Sequence, residues 1–203
     1  MSSTVYTIRQ AEMSDLPYVY RICHKTGHRG SDAEGLVRDP FMLGHYFAAP
    51  YIVRDCSWCW IVCERETPVG YLLATPDSAG FYAWLEREWL PPVRKLYGSE
   101  VVKTAGEFEK VILRIIHEPP FLPDFALQTF PAHFHIDLMP SAQGNGLGTK
   151  LIELCQKKLR EEGIPGFYLG VAAGNTGALS FYAKTRLEVI KKDPWVVYLG
   201  WHA

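Results

Sequence analysis

The residues with the clearest chemical potential are six consecutive positions, Gln143-Gly144-Asn145-Gly146-Leu147-Gly148. They follow a stretch typical of a β-strand and open a stretch whose apolar spacing predicts a helix. Glycines let the backbone turn sharply and bring its N–H groups close to a ligand, because no Cβ atom intervenes. The first N–H groups of a helix have no internal partners and lie at its positive end. The loop therefore has the chemistry to hold a diphosphate.

Two better-known phosphate-binding motifs do not fit this loop. The glycine spacing of the Rossmann fingerprint GxGxxG is not completed. Gly148-Thr149-Lys150 reverses the Gly-Lys-Ser/Thr order that a Walker loop requires. Taken alone, the loop also fits a glycine-rich helix start that binds no ligand, so the surrounding residues have to decide between the two interpretations.

A second segment, Asn175-Thr176-Gly177-Ala178-Leu179-Ser180-Phe181-Tyr182, lies further along the chain. Ile136–Pro140, the loop pattern Gln-x-x-Gly-x-Gly and the later pattern Asn-x-x-Ala-x-x-Phe-Tyr together resemble the GNAT superfamily of N-acetyltransferases. Arg186-Leu187 departs from the Gly-Phe that is usual in this superfamily, which removes a favourable helix C-cap. The resemblance implies an acetyltransferase that uses acetyl-CoA.

A more specific resemblance spans nearly the whole chain. Several segments are similar to the C-terminal acetyltransferase-like domain of animal O-GlcNAcases and to its stand-alone bacterial homologues: Tyr6–Arg9, Val19–Cys23, Gly70–Asp77 and His135–Asp137. The eukaryotic domain is generally regarded as a pseudo-acetyltransferase with a degraded cofactor loop. Because the loop is intact in this chain, the resemblance implies a version that still binds the cofactor.

The GNAT resemblance assigns a set of residues to the cofactor, acetyl-CoA (CoA). Backbone groups of Leu138 and Met139 would hold pantetheine, and Lys184 or Lys150 would meet the 3′-phosphate. The full set comprises Leu138, Met139, Gln143, Gly144, Asn145, Gly146, Leu147, Gly148, Thr149, Asn175, Phe181 and Lys184. Simpler roles stay open for three of these positions, since Leu138 also suits a core, Asn175 a helix N-cap and the lysine a solvated surface.

Tyr182 matches the usual general acid of GNAT enzymes, which returns a proton to the departing thiolate. A tyrosine is suitable because it stays protonated at working pH, although it also fits an aromatic residue packed on the sheet. Asp137 is the candidate general base, because it interrupts an apolar strand end and burial would raise its pKa. His135 and His133 share its strand face by period two and are alternatives, as is a simple hydrogen-bonded strand face.

The acceptor is predicted less sharply than the cofactor. The O-GlcNAcase-like resemblance suggests that Asp77 and Trp89 line the acceptor cleft, together with His135. The residues themselves favour a turn position for Asp77 and a core aromatic for Trp89. We expect a small-molecule or peptide amine. Because no cysteine is expected near the site, direct transfer in a ternary complex is favoured over a covalent acyl-enzyme.

The elements that must position these residues can be read from periodicity and turn signals. Strands are predicted at Val5–Arg9, Trp58–Arg65, Val69–Thr75, His133–Met139, Phe167–Val171, Glu188–Lys191 and Val196–Leu199. Helices are predicted after Ser14, in parts of 32–49, at Phe81–Trp89, Val93–Leu96 and Ala105–Ile116, from Leu147 to Leu159, and at Thr176–Thr185. This order predicts an α/β (α+β) GNAT fold: a mixed sheet of about seven strands with helices on both faces. We expect one domain over 1–203 with a helical insertion at about 77–123.

Whole-chain composition limits the classes of partner. The 203 residues carry a formal net charge of −1, so no broad basic field exists for nucleic acid or an anionic membrane. The N-terminal residues lack the apolar stretch of a secretory signal, and five cysteines are an odd number, so a cytoplasmic protein is expected. Neither the cysteines at 56, 59 and 63 nor His24 and His28 complete a metal site.

A protein of another class remains as the alternative function. A non-catalytic pseudo-acetyltransferase module could keep the fold and bind CoA or a protein partner. The undamaged glycine loop and the presence of Tyr182 favour the enzyme. The resemblance is also compatible with a homodimer.

Overall fold

The computed structural model describes residues 5–120, 122–126 and 129–203. Seven strands form one sheet in the order β1-β2-β3-β4-β5-β7-β6. The strands are β1 (Tyr6–Gln10), β2 (Cys59–Glu64), β3 (Thr67–Thr75), β4 (Ala132–Leu138), β5 (Gly166–Ala172), β6 (Glu188–Lys192) and β7 (Val196–His202). All seven predicted strands are present, and their ends differ from the predicted ones by at most three residues.

The helices occupy the stretches between these strands. They are α1 (Leu16–Thr26), α2 (Gly44–Phe47), α3 (Ala49–Asp55), α4 (Ser78–Trp84), α5 (Leu90–Leu96), α6 (Ser99–Lys103), α7 (Glu107–His117), α8 (Leu147–Glu161) and α9 (Thr176–Tyr182). Short 3₁₀ turns precede α1, β2 and the glycine loop. In the described part of the chain, no helix combines the length and apolar character that a membrane crossing requires.

The sheet is mixed, as predicted. β1 to β4 pair antiparallel in sequence order, β4 pairs parallel with β5, and β7 lies antiparallel between β5 and β6. The β4–β5 pairing covers only two residue pairs, Ala132 with Phe167 and His133 with Tyr168. Beyond His133 the two strands are no longer paired, which leaves a gap on the carboxyl side of β4.

Helices cover both faces of the sheet and enclose two cores. One core joins α1 to α5 and α7 to the sheet, and the other joins α8 and α9 to the opposite face. Side chains alternate along β4. His133, His135 and Asp137 therefore face the first core, whereas Phe134 and Ile136 face the second. The amphipathic pattern of α8 is confirmed, since Leu147, Leu151, Cys155 and Leu159 are buried.

The observed β2–β3 turn and the start of α1 differ from the predicted ones. The β2–β3 hairpin turns at Arg65-Glu66 rather than at 66–68, and Arg65 has a positive φ of 56°. Pro68 lies inside β3, next to a bulge whose extra residue is Val69, where a missing N–H is tolerated. Ser14 does not cap α1, because the chain enters that helix through a 3₁₀ turn that begins after Glu12.

The prolines at 91 and 92 do not interrupt the helical segment, contrary to prediction. The chain continues from α4 through a π-helical turn, Leu85–Trp89, into α5. Both prolines lie in the first turn of α5, where ordinary helical N–H groups would lack intrahelical partners. The wider π turn absorbs the change in spacing, so one continuous helical path covers residues 78–96.

Candidate active site

The glycine loop connects β4 to α8 and faces open space. Gly146 is the N-cap of α8 with φ 71°, and Gly144 has φ 76°, both in the left-handed region that glycine adopts without strain. A Cβ atom added to either residue would meet no atom within 4 Å. No side chain caps the helix start, so the first N–H groups of α8 remain available to a ligand.

Two side chains fix the shape of this loop from within. The Asn145 amide donates to the carbonyl oxygens of Gln143, at 2.9 Å, and Ala142, at 3.3 Å. The Gln143 amide donates to the Leu138 carbonyl at 2.9 Å and so ties the loop to the end of β4. These bonds use side-chain donors, and the Gln143 N–H donates to the Pro140 carbonyl at 3.3 Å, which leaves the main-chain N–H groups at 144–149 for a ligand.

The third glycine of the loop has a different purpose. A Cβ atom on Gly148 would lie 2.9 Å from Cζ of Phe181 and 3.3 Å from Cε2. Gly148 therefore allows α8 and α9 to pack closely, with the Phe181 ring against the helix start. The loop glycines thus divide into two that open the surface and one that brings a helix close.

A cavity of about 500 Å³ extends from the loop along β4 to α9. The predicted residues at its wall are Asp137, Leu138, Gln143, Gly144, Gly146, Leu147, Gly148, Thr149, Asn175, Phe181 and Tyr182. We call it the loop cavity. Met139, Asn145 and Lys184 are not at its wall.

Leu138 is the last residue of β4 and lines the loop cavity, whereas Met139, which follows it, does not. The Met139 N–H donates to the Val69 carbonyl at 2.8 Å, so it is used by the neighbouring strand β3. Hydrogen-bonding directions alternate along an antiparallel pair. The backbone N–H of Leu138 therefore points away from β3 at the wall of the loop cavity, whereas its carbonyl accepts from the Gln143 amide. Within the described residues, Leu138 thus has a free N–H at the wall of the loop cavity, and Met139 does not.

A second cavity, of about 210 Å³, fills the gap between β4 and β5. We call it the gap cavity. Residues of both strands line it, and it shares Thr26, Arg29, Asp137, Asn175 and Tyr182 with the loop cavity. None of its lining residues comes from the loop at 143–149. The two cavities meet beside Asp137 and Tyr182, where a ligand in one would approach a ligand in the other.

Asp137 is held at this meeting point by a buried tyrosine. The Tyr71 hydroxyl, directly opposite on β3, donates to Oδ2 of Asp137 at 2.6 Å. Burial raises the pKa of Asp137 to about 6, although the hydrogen bond from Tyr71 opposes this rise. Thr26 lies close as well, but its hydroxyl donates to the Ile22 carbonyl at 2.7 Å. Tyr71 is therefore the donor that positions the carboxylate.

The two histidines on the same strand face have different environments. His133 is buried, with Nε2 at 2.7 Å from the Tyr51 hydroxyl and Nδ1 at 2.7 Å from Oγ of Ser78. Ser78 donates its own proton to the Pro131 carbonyl, so the histidine proton belongs on Nδ1. Both nitrogens are occupied, which gives His133 a structural role. His135 lines the gap cavity, and burial lowers its pKa to about 4, so the ring is neutral at physiological pH.

Tyr182 reaches both cavities from α9. It is 6% exposed, and burial together with the nearby charge of Asp137 raises its pKa above the usual value for tyrosine. The hydroxyl therefore keeps its proton throughout the physiological range. This protonation state is the one that a proton donor needs.

A family profile and several solved structures match this architecture. The profile of the Acetyltransferase (GNAT) family matches residues 123–186, which include β4, the glycine loop and α9. The solved structure of SsHAT superposes with a TM-score of 0.88 at 31% sequence identity, covering 97% of this chain and 98% of that one. The chain belongs to the GNAT family.

Other GNAT relatives agree on the fold and limit what can be transferred. The O-GlcNAcase of Rattus norvegicus is 26% identical over 208 residues, which cover 98% of this chain and 22% of that protein. This chain thus spans about a fifth of the curated relatives that it matches. The PaiA N-acetyltransferase of Thermoplasma acidophilum, solved in complex with coenzyme A, has a TM-score of 0.60 at 13% identity over 98% of this chain and 99% of that one. The latter similarity concerns the fold alone.

Within this GNAT fold, Asn175 has the position and the simpler role predicted for it. Its Oδ1 accepts a hydrogen bond from the Ala178 N–H at 3.0 Å, which makes it the N-cap of α9. The residue also lines both cavities. The cap fixes the start of the helix that carries Tyr182, so a structural role supports the site directly.

Two residues predicted to line the acceptor cleft, Asp77 and Trp89, have structural contacts and line neither of these two cavities. Asp77 is the N-cap of α4, with Oδ1 accepting from the Gly80 N–H at 2.9 Å. The Trp89 indole donates to the His45 carbonyl at 2.7 Å and packs against the first core. Lys150 and Lys184 are exposed outside both cavities.

The sequence did not predict the residues that α1, the turn after it and β3 bring to these two cavities and to Asp137. Tyr71, Thr26, Arg29 and Gly30 are distant in sequence from the glycine loop, and no motif connects them with it. The expectation that no cysteine lies near the site is wrong, because Cys23 lines the gap cavity. Burial raises the pKa of Cys23 well above its usual value, so the group there is a neutral thiol.

Proposed function

We propose that this GNAT protein transfers an acetyl group from acetyl-CoA directly to an amine. The observation that carries the proposal is the junction of the two cavities. An open helix start at the glycine loop leads to the unpaired end of β4, and Asp137 and Tyr182 meet there. This arrangement supplies a diphosphate site, a site for the thioester, a base and an acid in one continuous space.

The loop cavity fits coenzyme A at two places. The open surfaces of Gly144 and Gly146 suit a bulky diphosphate, because no Cβ atom occupies the approach. The backbone N–H of Leu138, at the strand end of the loop cavity, suits the pantetheine arm and the thioester carbonyl. When bound, acetyl-CoA supplies an activated acyl group and a good leaving group.

The side chains at the junction have complementary protonation states. Asp137 is mostly ionised at neutral pH and can take a proton from the attacking amine. Tyr182 keeps its proton and can deliver it to the thiolate that leaves. Cys23 is a neutral thiol and a poor nucleophile, which supports direct transfer over a covalent acyl-enzyme.

The proposed organisation of the chain is a single domain with a helical insertion at about 77–123. In support, α4, α5 and α7 share the first core with α1, α2 and α3. A separate domain would have its own core. The insertion therefore adds its apolar side chains to the first core.

A calorimetric titration with acetyl-CoA tests the cofactor part of the proposal. We expect binding to the wild type and no measurable binding to Gly146→Trp, because the indole would fill the cradle. Gly35→Trp is the matched control: Gly35 has φ 76° and an equally open surface, away from both cavities. Equal acetyl-CoA affinity of the wild type and Gly146→Trp would contradict the loop assignment.

An acceptor screen tests the catalytic part. Release of the CoA thiol is followed while small amines, amino sugars and peptide amines are supplied in turn. Turnover of any amine that depends on Asp137 and Tyr182 supports the enzyme. Tight acetyl-CoA binding without turnover of any amine would support a non-catalytic binding module instead.

A further inference from the structure

The tight turn that follows α1 carries an arginine in an unfavourable conformation. His28 and Ser31 exchange backbone hydrogen bonds of 2.9 and 3.0 Å, which leaves Arg29 and Gly30 at the tip. Both tip residues have positive φ, 55° and 86°. Turns of this kind favour Asn-Gly, because a longer side chain is strained in the left-handed region. Arg65 adopts nearly the same φ on an exposed turn, so a role for Arg29 has to follow from where the turn places its side chain.

The turn directs Arg29 over the start of α9. The guanidinium lies 3.2 to 3.5 Å from the position that a Cβ atom of Gly174 would take. A Cβ atom on Gly30 would lie 3.9 Å from Nδ2 of Asn175, so the tip of the turn lies against the β5–α9 connection. Arg29 lines both the loop cavity and the gap cavity. It thus stands at the entrance to the junction where Asp137 and Tyr182 meet.

The positive charge of Arg29 has no counter-charge within the described residues. Its guanidinium makes neither an ion pair nor a hydrogen bond there, whereas Arg9, Arg38 and Arg94 each pair with a carboxylate. Among the residues that line the two cavities, Asp137 is the other charged group, since His135 is neutral. The site therefore offers one cation and one carboxylate to its ligands.

We propose that the acceptor is an amine that also carries an anionic group, and that Arg29 binds this anion while the amine lies beside Asp137. The inference rests on the proposed function and adds the substrate class. The gap cavity, which contains Arg29 but none of the glycine loop, favours the acceptor over the cofactor diphosphate as the partner of this arginine. A carboxylate and a phosphate monoester share the chemistry that a guanidinium recognises.

Matched acceptor pairs test the proposal. Each pair differs by one anionic group: an amino acid and its amide, or an amino sugar and its phosphate monoester. We expect the wild type to prefer the anionic member. In Arg29→Gln, kcat/KM for that member should fall about 10- to 100-fold, the range for a hydrogen bond to a charged group, with the neutral member unchanged. Arg65→Gln is the control, since Arg65 is exposed on a turn with φ 56° and lies outside both cavities.

Other results would overturn the proposal in distinguishable ways. A loss of acetyl-CoA affinity in Arg29→Gln, with an unchanged preference between acceptors, would assign the arginine to a cofactor phosphate. Equal kinetics of the wild type and Arg29→Gln would show a solvated side chain. If acetyl-CoA does not bind the wild type at all, the proposed function itself fails.

A binding measurement keeps the proposal testable if no member of a pair is acetylated. The Nε–Hε resonance of Arg29, assigned by its loss in Arg29→Lys, is followed in the CoA-loaded protein during titration with the same pairs. We expect the anionic member alone to shift it. An equal response, or no response, to both members would contradict the proposal.

Discussion

At the scale of residues, the proposed chemistry depends on the contacts that hold Asp137. Its carboxylate accepts one short hydrogen bond from a fully buried tyrosine hydroxyl and otherwise faces the cavities. The groups around it titrate outside the range from pH 5 to 9, because burial lowers the pKa of His135 to about 4 and raises the pKa values of Cys23, Tyr71 and Tyr182. A titration near pH 6 is therefore assigned to Asp137.

The pH dependence of kcat/KM follows from this assignment. Activity should rise as pH increases through about 6, because Asp137 must lose its proton before it can accept one from the acceptor. Tyr182 should cause no decline below pH 9, since its pKa is raised. Initial rates with one acceptor measure the profile, and persistence of the same rising limb in Asp137→Asn would contradict the assignment.

Tyr71→Phe should move this limb to higher pH. Removing the hydroxyl takes away the hydrogen bond that opposes the rise in the pKa of Asp137, so the carboxylate should titrate about one pH unit higher. Tyr20→Phe is the control, because Tyr20 bonds to His45 away from the cavities. A uniform loss of rate with an unmoved limb would indicate that Tyr71 only supports the fold.

Tyr182→Phe should reduce kcat by roughly 100-fold, within the usual range for a general acid, and leave the affinity for acetyl-CoA nearly unchanged. Burst and steady-state kinetics measure the rate, and calorimetry measures the affinity. An unchanged kcat would leave Tyr182 as a packing residue. Thiol release at wild-type speed would have the same meaning.

At this scale, sequence and structure agree where residues are close in the chain. The loop from Gln143 to Thr149 and the residue Asn175 lie where local patterns place them, at a strand end or a helix start. Tyr182 lies within the predicted helix Thr176–Thr185, at the end of α9. Tyr71 and Arg29 depend on contacts across the sheet that no local pattern contains. For Asp77 and Trp89 the simpler prediction from the residues agrees with the structure. Asp77 is a helix N-cap and Trp89 packs its indole in the first core.

At the scale of elements, the close packing of α8 and α9 depends on one glycine. Gly148→Ala would push the new methyl group into the Phe181 ring, at 2.9 Å from Cζ. We expect a destabilisation of about 1–3 kcal/mol, typical of overpacking. Gly177→Ala is the matched control in α9, where a Cβ atom would be 3.8 Å from Oδ1 of Asn175, and it should be neutral or stabilising.

Chemical denaturation of both variants measures this difference. Equal free energies of unfolding for Gly148→Ala and Gly177→Ala would show that the helices separate at little cost. The sequence predicted α8 and α9 from periodicity, but not the role of Gly148, because a motif does not reveal which glycine faces a neighbour. The prediction of two separate helices around Pro91 and Pro92 is wrong for a similar reason. A π turn, which the sequence does not reveal, places both prolines in the first turn of α5.

At the scale of the molecule, the site exists because β4 and β5 pair at only two positions. A fully paired sheet would close the space that joins the loop cavity to the gap cavity. The mixed sheet and helices on both faces could be predicted from the order of elements, whereas the strand order came from the structure. The extent of the β4–β5 gap depends on the packing of α1 and α9 on opposite faces and required the structure.

A crystal structure of the protein with acetyl-CoA is the most direct test of the central claim. We expect the diphosphate within hydrogen-bonding distance of the main-chain N–H groups at 144–149 and the thioester oxygen beside the Leu138 backbone, with Asp137 and Tyr182 on either side. A cofactor bound away from the glycine loop, or an empty loop at saturating acetyl-CoA, would contradict the account.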